Sequence, residues 1–308
     1  MSYIGMSGRF DLSSRLSTSF DSWLARQAAR RRRPNTSAML TRDLATPVGL
    51  VRVFDSASDK PCVVIVPDGP NVIEHYEGIV KRLSQDVRVV CFDMPGFGFS
   101  FPRSDYRHTL DEGARAVLGV LDALSVPRAT LAFSCANGLY ALRAARLAPK
   151  RVHSLFLSQT PSLHAMQTWA ERVIAAPLRK PLLGQASVWF GRHALAEHWY
   201  GMSLPRGIDP EPFRAPARAA LVHGGCFSLA GIVQGLLASS QKDLLDVSTR
   251  CTMLWGEQDR THRGTNPSSL RDCAVQAQIL RLENVGHFPD LEAPERYATL
   301  LLADATNQ

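Results

Sequence analysis

Short, mainly apolar runs of β type alternate along this chain with longer segments whose apolar positions recur every three to four residues. Runs of the first kind lie at 49–55, 62–66, 87–93, 130–134, 153–158, 251–256 and 278–283. Several have no polar face, which is expected of strands covered by helices on both sides. The helix-period segments fall at 72–85, 108–125, 137–148, 264–276 and 292–303. Strands and helices in alternation predict an α/β fold with a mostly parallel central sheet covered by helices on both faces. The alternation stops between 161 and 245. That stretch carries Trp169, Trp189 and Trp199 and many helix formers but no strand pattern, and reads as a helical insertion.

A further amphipathic helix is predicted at 9–30, on Phe10, Leu12, Leu16, Phe20, Trp23 and Leu24, ending at an arginine run and Pro34. Charge then divides the chain. Residues 1–42 hold eight arginines against Asp11 and Asp21, a net of six positive charges out of the total of +7. The body of the protein is therefore nearly neutral and gives no nucleic-acid signal; the basicity belongs to an N-terminal extension. The expected organisation is an extension at 1–42, a core at 43–160 and 246–308, and an insertion at 161–245. The extension reads as a solvated basic arm, or as a docking surface for an acidic carrier protein or anionic lipid. It is rich in Ser and Arg, as organelle transit peptides are, but has no signal-peptide h-region. No apolar run reaches the roughly 18 residues that a membrane span requires. Six cysteines without a CxxC pair argue against a zinc or redox site, and fit a reducing, cytoplasmic setting with no metal and no cofactor.

Chemistry concentrates where predicted strands end, which is where open α/β sheets place their reactive residues. The run at 87–93 leads into Asp93-Met94-Pro95-Gly96-Phe97-Gly98-Phe99-Ser100. The run at 130–134 leads through Ser134-Cys135-Ala136-Asn137-Gly138 directly into helix. Glu257-Gln258-Asp259 follows 251–256, and Gly286-His287-Phe288-Pro289 follows the last strand. A nucleophile, an acid and a histidine thus occur in that order at three strand ends.

These segments resemble the α/β-hydrolase superfamily. Residues 126–142 are similar, without gaps, to its strand–elbow–helix segment, and Asp93–Ser100 to its D-x-P-G-x-G-x-S loop. Trp255 to Asp259 resembles its acid loop and Gly286 to Glu295 its histidine loop. The resemblance implies an α/β-hydrolase fold in which 161–245 is a helical cap. It also implies a triad of Cys135, Asp259 and His287, with Glu257 as the fallback acid. Cys135 stands where the family usually has serine, as in dienelactone hydrolases and some thioesterases. Ser134 is the alternative nucleophile, because residues two away from it, Ala132 and Ala136, are smaller than Phe133 and Asn137 around Cys135.

The oxyanion hole departs from the family. Ala136 N–H is the expected first donor. The second should come from Pro67-Asp68-Gly69-Pro70-Asn71, which looks like the family's H-G-x-P loop with Asp68 in place of histidine. Pro70 has no N–H, so Asn71 or Gly69 must donate instead. A cysteine nucleophile keeps an acyl group activated as a thioester. The expected function is therefore an acyl-thioester hydrolase or acyltransferase acting on a small-molecule acyl substrate, free or on an acyl carrier protein. The alternatives are a carboxylesterase or lactonase on small esters, and a non-hydrolytic binding protein on the same fold.

Overall fold

A computed structural model describes residues 7–31 and 39–306. Its main sheet contains β1 (Thr41–Thr46), β2 (Gly49–Asp55), β3 (Cys62–Val66), β4 (Arg88–Phe92), β5 (Ala129–Ser134), β6 (Val152–Ser158), β7 (Cys251–Gly256) and β8 (Gln278–Leu282). They lie side by side in the order 1-2-4-3-5-6-7-8, and a short strand at Phe101–Pro102 also pairs with β2. β2 runs antiparallel to both of its neighbours, β1 and β4, and every pairing from β4 to β8 is parallel. The strands β2 to β8 coincide with the apolar runs within two residues. β1 was not among them: its positions are only half-buried or exposed, so it carries no apolar signature. The sheet accordingly begins at Thr41, inside the segment assigned from sequence to the extension.

The uniformly apolar strands supply two cores at once. In β3, Val64 and Val66 enter one core with Leu131, Phe133, Leu155 and Met253, under α3 (Leu110–Ala123) and α4 (Cys135–Leu147). Val63 and Ile65 enter the other with Cys91, Ala132, Phe156 and Leu254. That second core is closed by α2 (Glu77–Leu83) and by the C-terminal helix (Pro294–Thr306). Two helical expectations are trimmed. Residues 72–85 form a 3-10 turn and then α2, and 264–276 yields only a 3-10 turn at Pro267–Asp272, where Gly264 and Pro267 interrupt the helix.

Between β6 and β7 the chain forms the cap: α5 (Leu163–Val173), α6 (Leu183–Ser203), α7 (Glu211–Val222) and α8 (Leu229–Leu237). One short strand, Cys226–Phe227, pairs with Phe97–Gly98 and ties the cap to the loop after β4. The N-terminal helix α1 (Ser7–Ala29) is present, and one side of it is buried. Leu24, Ala25 and Ala28 are covered, Ser17 Oγ accepts from Leu182 N, and Gln185 Nε2 donates to Asp21 at 3.1 Å. The extension therefore packs onto the cap along this helix rather than hanging free. Its outer side keeps Arg15, Arg26 and Arg30 exposed, while Arg32, Arg33 and Pro34 lie outside the described residues. Among the described residues no helix is long and apolar enough to cross a membrane.

Candidate active site

β5 ends at Ser134 in extended conformation, and α4 begins at once on Cys135 with φ of +52°. A non-glycine residue in this left-handed region is strained, and a sharp strand-to-helix turn holding it presents its side chain above the sheet edge. The neighbours accommodate the turn. Phe133 turns into the core edge-on to Phe92, and Asn137 Nδ2 donates to Pro67 O at 3.2 Å. A Cβ on Gly138 would lie 2.1 Å from Thr160 Oγ1, so that position needs glycine. The two bulky residues flanking Cys135 in sequence are thus absorbed, one by the core and one by a bond to the oxyanion loop.

His287 is brought over Cys135 by a loop pinned through Glu292, whose carboxylate accepts from Gly286 N and Phe288 N. The Cys135 sulfur, a His287 ring nitrogen and an Asp68 oxygen lie within 4.8 Å of one another, all buried. On the far side of the ring, Nδ1 is 2.6 Å from Asp259 Oδ2. Asp259 also accepts from Gln159 Nε2, from Thr261 N and Oγ1, and from His262 N. Burial would raise its carboxyl, but the His287 charge and these donors hold it well below the usual carboxylate range.

Nε2, the edge of His287 that faces the thiol, is engaged by Asp68 Oδ2 at 3.1 Å. Burial lowers the imidazole, yet Asp259 and Asp68 outweigh that effect and hold it well above the ordinary histidine range. Asp68 is itself pushed up by burial, against the pull of His287. Burial, reinforced by the Asp68 charge, raises the Cys135 thiol to about 11. Cys135 is therefore held as the thiol near neutral pH.

The face of His287 is covered by a stack of rings. His262 lies 5.5 Å from it with planes 13° apart, and Trp169 lies on His262 at 4.9 Å and 8°. Among the described residues neither nitrogen of His262 has a hydrogen-bond partner, and burial lowers its pKa to about 3, so the ring stacked on His287 is neutral.

Above Cys135 opens a cavity of about 180 Å³. Its floor is Asp68, Gly69, Cys135, Ala136 and Asn137. Its walls come from the cap: Trp169, Val173, Ile174, Leu178, Leu195, Trp199, Ile232, Val233 and Leu236. Among the described residues no lysine or arginine lines it; the wall is predominantly apolar, with His198 its one ionisable cap residue.

Residues 63–300 match the sequence profile of the family described as "Alpha/beta hydrolase family". This chain belongs to that family. Its sequence is 26% identical over 283 residues to 2-hydroxymuconate semialdehyde hydrolase of Pseudomonas sp. (strain CF600), covering 87% of this chain and 94% of that protein. It is 30% identical over 266 residues to 2-hydroxy-6-oxo-2,4-heptadienoate hydrolase of Pseudomonas putida, covering 81% and 90%. Among solved structures it is similar to the enol-lactonase of Burkholderia xenovorans LB400, with TM-score 0.70, 18% identity and coverage of 86% and 100%. The fold also matches epoxide hydrolase A of Mycobacterium thermoresistibile, with TM-score 0.72, 14% identity and coverage of 87% and 98%. The protein is a hydrolase, and the expectation of a non-hydrolytic binding protein is set aside.

In this hydrolase the structure brings Cys135, His287 and Asp259 together in one row. Ser134 is buried in the strand and does not line the cavity, and Glu257 pairs outside with Arg281. Ala136 N–H is turned to the Cys135 sulfur and Gly69 reaches the cavity floor. The backbone of Asn71 does not serve as expected, and its amide Nδ2 is buried with no hydrogen-bond partner among the described residues. Its N–H donates to Asp68 O at 2.8 Å, its Oδ1 accepts from Tyr200, and it is absent from the cavity wall. The tight turn that Pro70 sits in consumes the Asn71 N–H.

Sequence reasoning missed Gln159. It directly follows β6, and its amide bridges Asp259 and the Gly256 N–H. It also missed that Asp68 would bind His287, although the replacement of histidine by an acid in that loop was the visible signal.

Proposed function

We propose that this hydrolase cleaves small, uncharged esters or lactones whose leaving group is an enol, through a covalent acyl-Cys135 intermediate. The observation that carries the reading is the buried row Cys135–His287–Asp259 beneath a mostly apolar cavity that no lysine or arginine among the described residues lines. The relatives named above are hydrolases of small molecules. They support the ester- or lactone-cleaving alternative over the acyl-thioester reading, and nothing supports an acyl carrier protein as partner.

The chemistry narrows the substrate. Sulfur attack on an ordinary oxyester runs uphill, because a thioester holds its acyl group less firmly. An enol leaving group reverses this, since the released enol relaxes to its ketone and does not return. Cys135 forms the C–S bond while its proton passes to His287 Nε2; the C–O bond then breaks and His287 returns that proton to the departing oxygen. Water, deprotonated by His287, attacks the thioester and the sulfur leaves with the proton. Asp259 stays ionised throughout and orients the ring.

Matched substrates test this. Isopropenyl and isopropyl esters of one short apolar acid differ only in whether the leaving group is an enol. The isopropenyl ester should have kcat/KM at least about 10²-fold higher, roughly 2.7 kcal/mol. A higher kcat/KM for the corresponding acyl thioester than for either oxyester would restore the thioesterase reading.

A further inference from the structure

Two carboxylates hold opposite edges of His287, and their surroundings differ sharply. Asp259 receives five hydrogen bonds, from Gln159, Thr261 twice, His262 and His287. Asp68 receives one, from His287. Both are buried, so the donors decide which of them tolerates a negative charge, and Asp68 is the poorer host. Where two titratable groups are driven apart in this way, the less stabilised one is the proton carrier.

The position of that carrier matters. Asp68 belongs to the loop that should supply the second oxyanion donor; Pro70 has no N–H, the Asn71 N–H is spent on Asp68 O, and Asn71 does not line the cavity. Its carboxyl lines the cavity floor beside Cys135, within 4.8 Å of the sulfur. Asp68 Oδ2 and His287 Nε2 have one proton between them. With that proton on His287 the base is blocked. With it on Asp68, His287 is free to deprotonate the thiol and Asp68 is a neutral acid facing the reacting carbonyl.

We propose that Asp68 is a catalytic acid that donates to the substrate's carbonyl oxygen, in the place of the backbone N–H that Pro70 lacks. This rests on the acyl-Cys135 reading above. As the C–S bond forms, the sulfur's proton goes to His287 Nε2 and the carbonyl π pair moves onto oxygen, which takes the Asp68 proton. On collapse the carbonyl re-forms, that proton returns to Asp68, and the leaving enol oxygen takes the proton held by His287. Ala136 N–H is the companion donor.

The charged and titratable groups around Asp68 are His287 and Cys135 in front, Asp259 behind the ring, Asp290 after the histidine loop, Tyr76 in the 3-10 turn before α2, and Tyr200 on α6 of the cap. All the carboxylates oppose ionisation of Asp68. The acid form is required, so the rate must be lost as pH rises through titration of the Asp68–His287 pair.

The test is single-turnover acylation of Cys135 by an isopropenyl ester, followed by intact-protein mass across pH in the wild type, Asp68→Asn and Asp68→Ala. The wild-type rate should pass through a maximum and then fall. Asp68→Asn should lose about 10²-fold near neutral pH, with little change in the ester concentration at half-saturation, and its rate should climb with pH as the thiolate forms. Asp68→Ala should lose at least as much. Wild-type rates and profile in both variants would overturn the proposal and leave Cys135 as nucleophile. Should either variant fail to fold, the wild-type profile alone decides: a rate that rises without a maximum overturns the proposal. Absence of any Cys135 adduct in the wild type, with turnover surviving Cys135→Ala, would overturn the acyl-cysteine reading and this one with it.

Discussion

Asp259 Oδ2 stands 2.6 Å from His287 Nδ1, and the His287 charge holds the Asp259 carboxyl well below the usual carboxylate range while four further hydrogen bonds from Gln159, Thr261 and His262 converge on it. The pair fixes the tautomer that leaves Nε2 facing the thiol. Asp259→Asn keeps the shape but reverses the hydrogen-bond polarity. It should lower kcat by about 10³–10⁴-fold with KM little changed, and His287→Ala should match it if the residues act as a unit. Steady-state kinetics on an enol ester checks both. A loss of less than tenfold in Asp259→Asn would remove Asp259 from the mechanism.

Among the described residues the cavity wall carries no lysine or arginine, and an acyl chain bearing a carboxylate would bury a charge there without a permanent cation to pair it. An acyl group with a terminal carboxylate should lose at least about 10²-fold in kcat/KM against its methyl-ended counterpart, about 2.7 kcal/mol. Equal values for the two would place the acyl chain outside this cavity.

Arg52 is fully buried in β2, bonded bidentately to Glu74 and 3.5 Å from Asp93. Asp93 in turn holds the N–H groups of Ile73 and Phe99, fixing the loop beside the cavity floor. Arg52→Leu strands a buried carboxylate and should cost about 3–5 kcal/mol in urea unfolding. A loss under about 1 kcal/mol would mean that Asp93 carries no charge in the fold.

Asp21 anchors α1 to the cap beside Gln185 and close to His108, and burial pushes its carboxyl up to about 7. The folded value lies above the unfolded one of 3.8, so the contribution is complete below about 3.8 and declines as pH rises to about 7. Hydrogen exchange of residues 12–29, corrected for intrinsic rates, should show easier opening at about pH 8 than at about pH 5. Asp21→Asn should flatten the difference. An unchanged pH dependence in Asp21→Asn would remove Asp21 as its source.

Sequence alone located most of the sheet because β3 to β7 are covered on both faces, and such strands must be apolar throughout. β1 escaped because an edge strand with water on it has no such requirement. The docking of α1 escaped for a different reason: its partners Leu182 and Gln185 lie more than 160 residues away, and no local pattern encodes that contact. At the site, the positions of Cys135, Asp259 and His287 were legible because each follows a strand. The roles of Gln159 and Asp68 were not, since they depend on which loops meet above the sheet. The loss of the Asn71 N–H as a donor was not legible because the turn's internal hydrogen bond, which takes it, cannot be counted until the loop is folded.

The central claim is that the acyl group passes through Cys135. The most direct measurement is intact-protein and peptide mass after rapid quenching with an isopropenyl ester, in the wild type, Cys135→Ala and Ser134→Ala. The account predicts one acyl adduct on the peptide containing Cys135 in the wild type and Ser134→Ala, and neither adduct nor turnover in Cys135→Ala. Full turnover in Cys135→Ala, with loss of activity in Ser134→Ala, would contradict it.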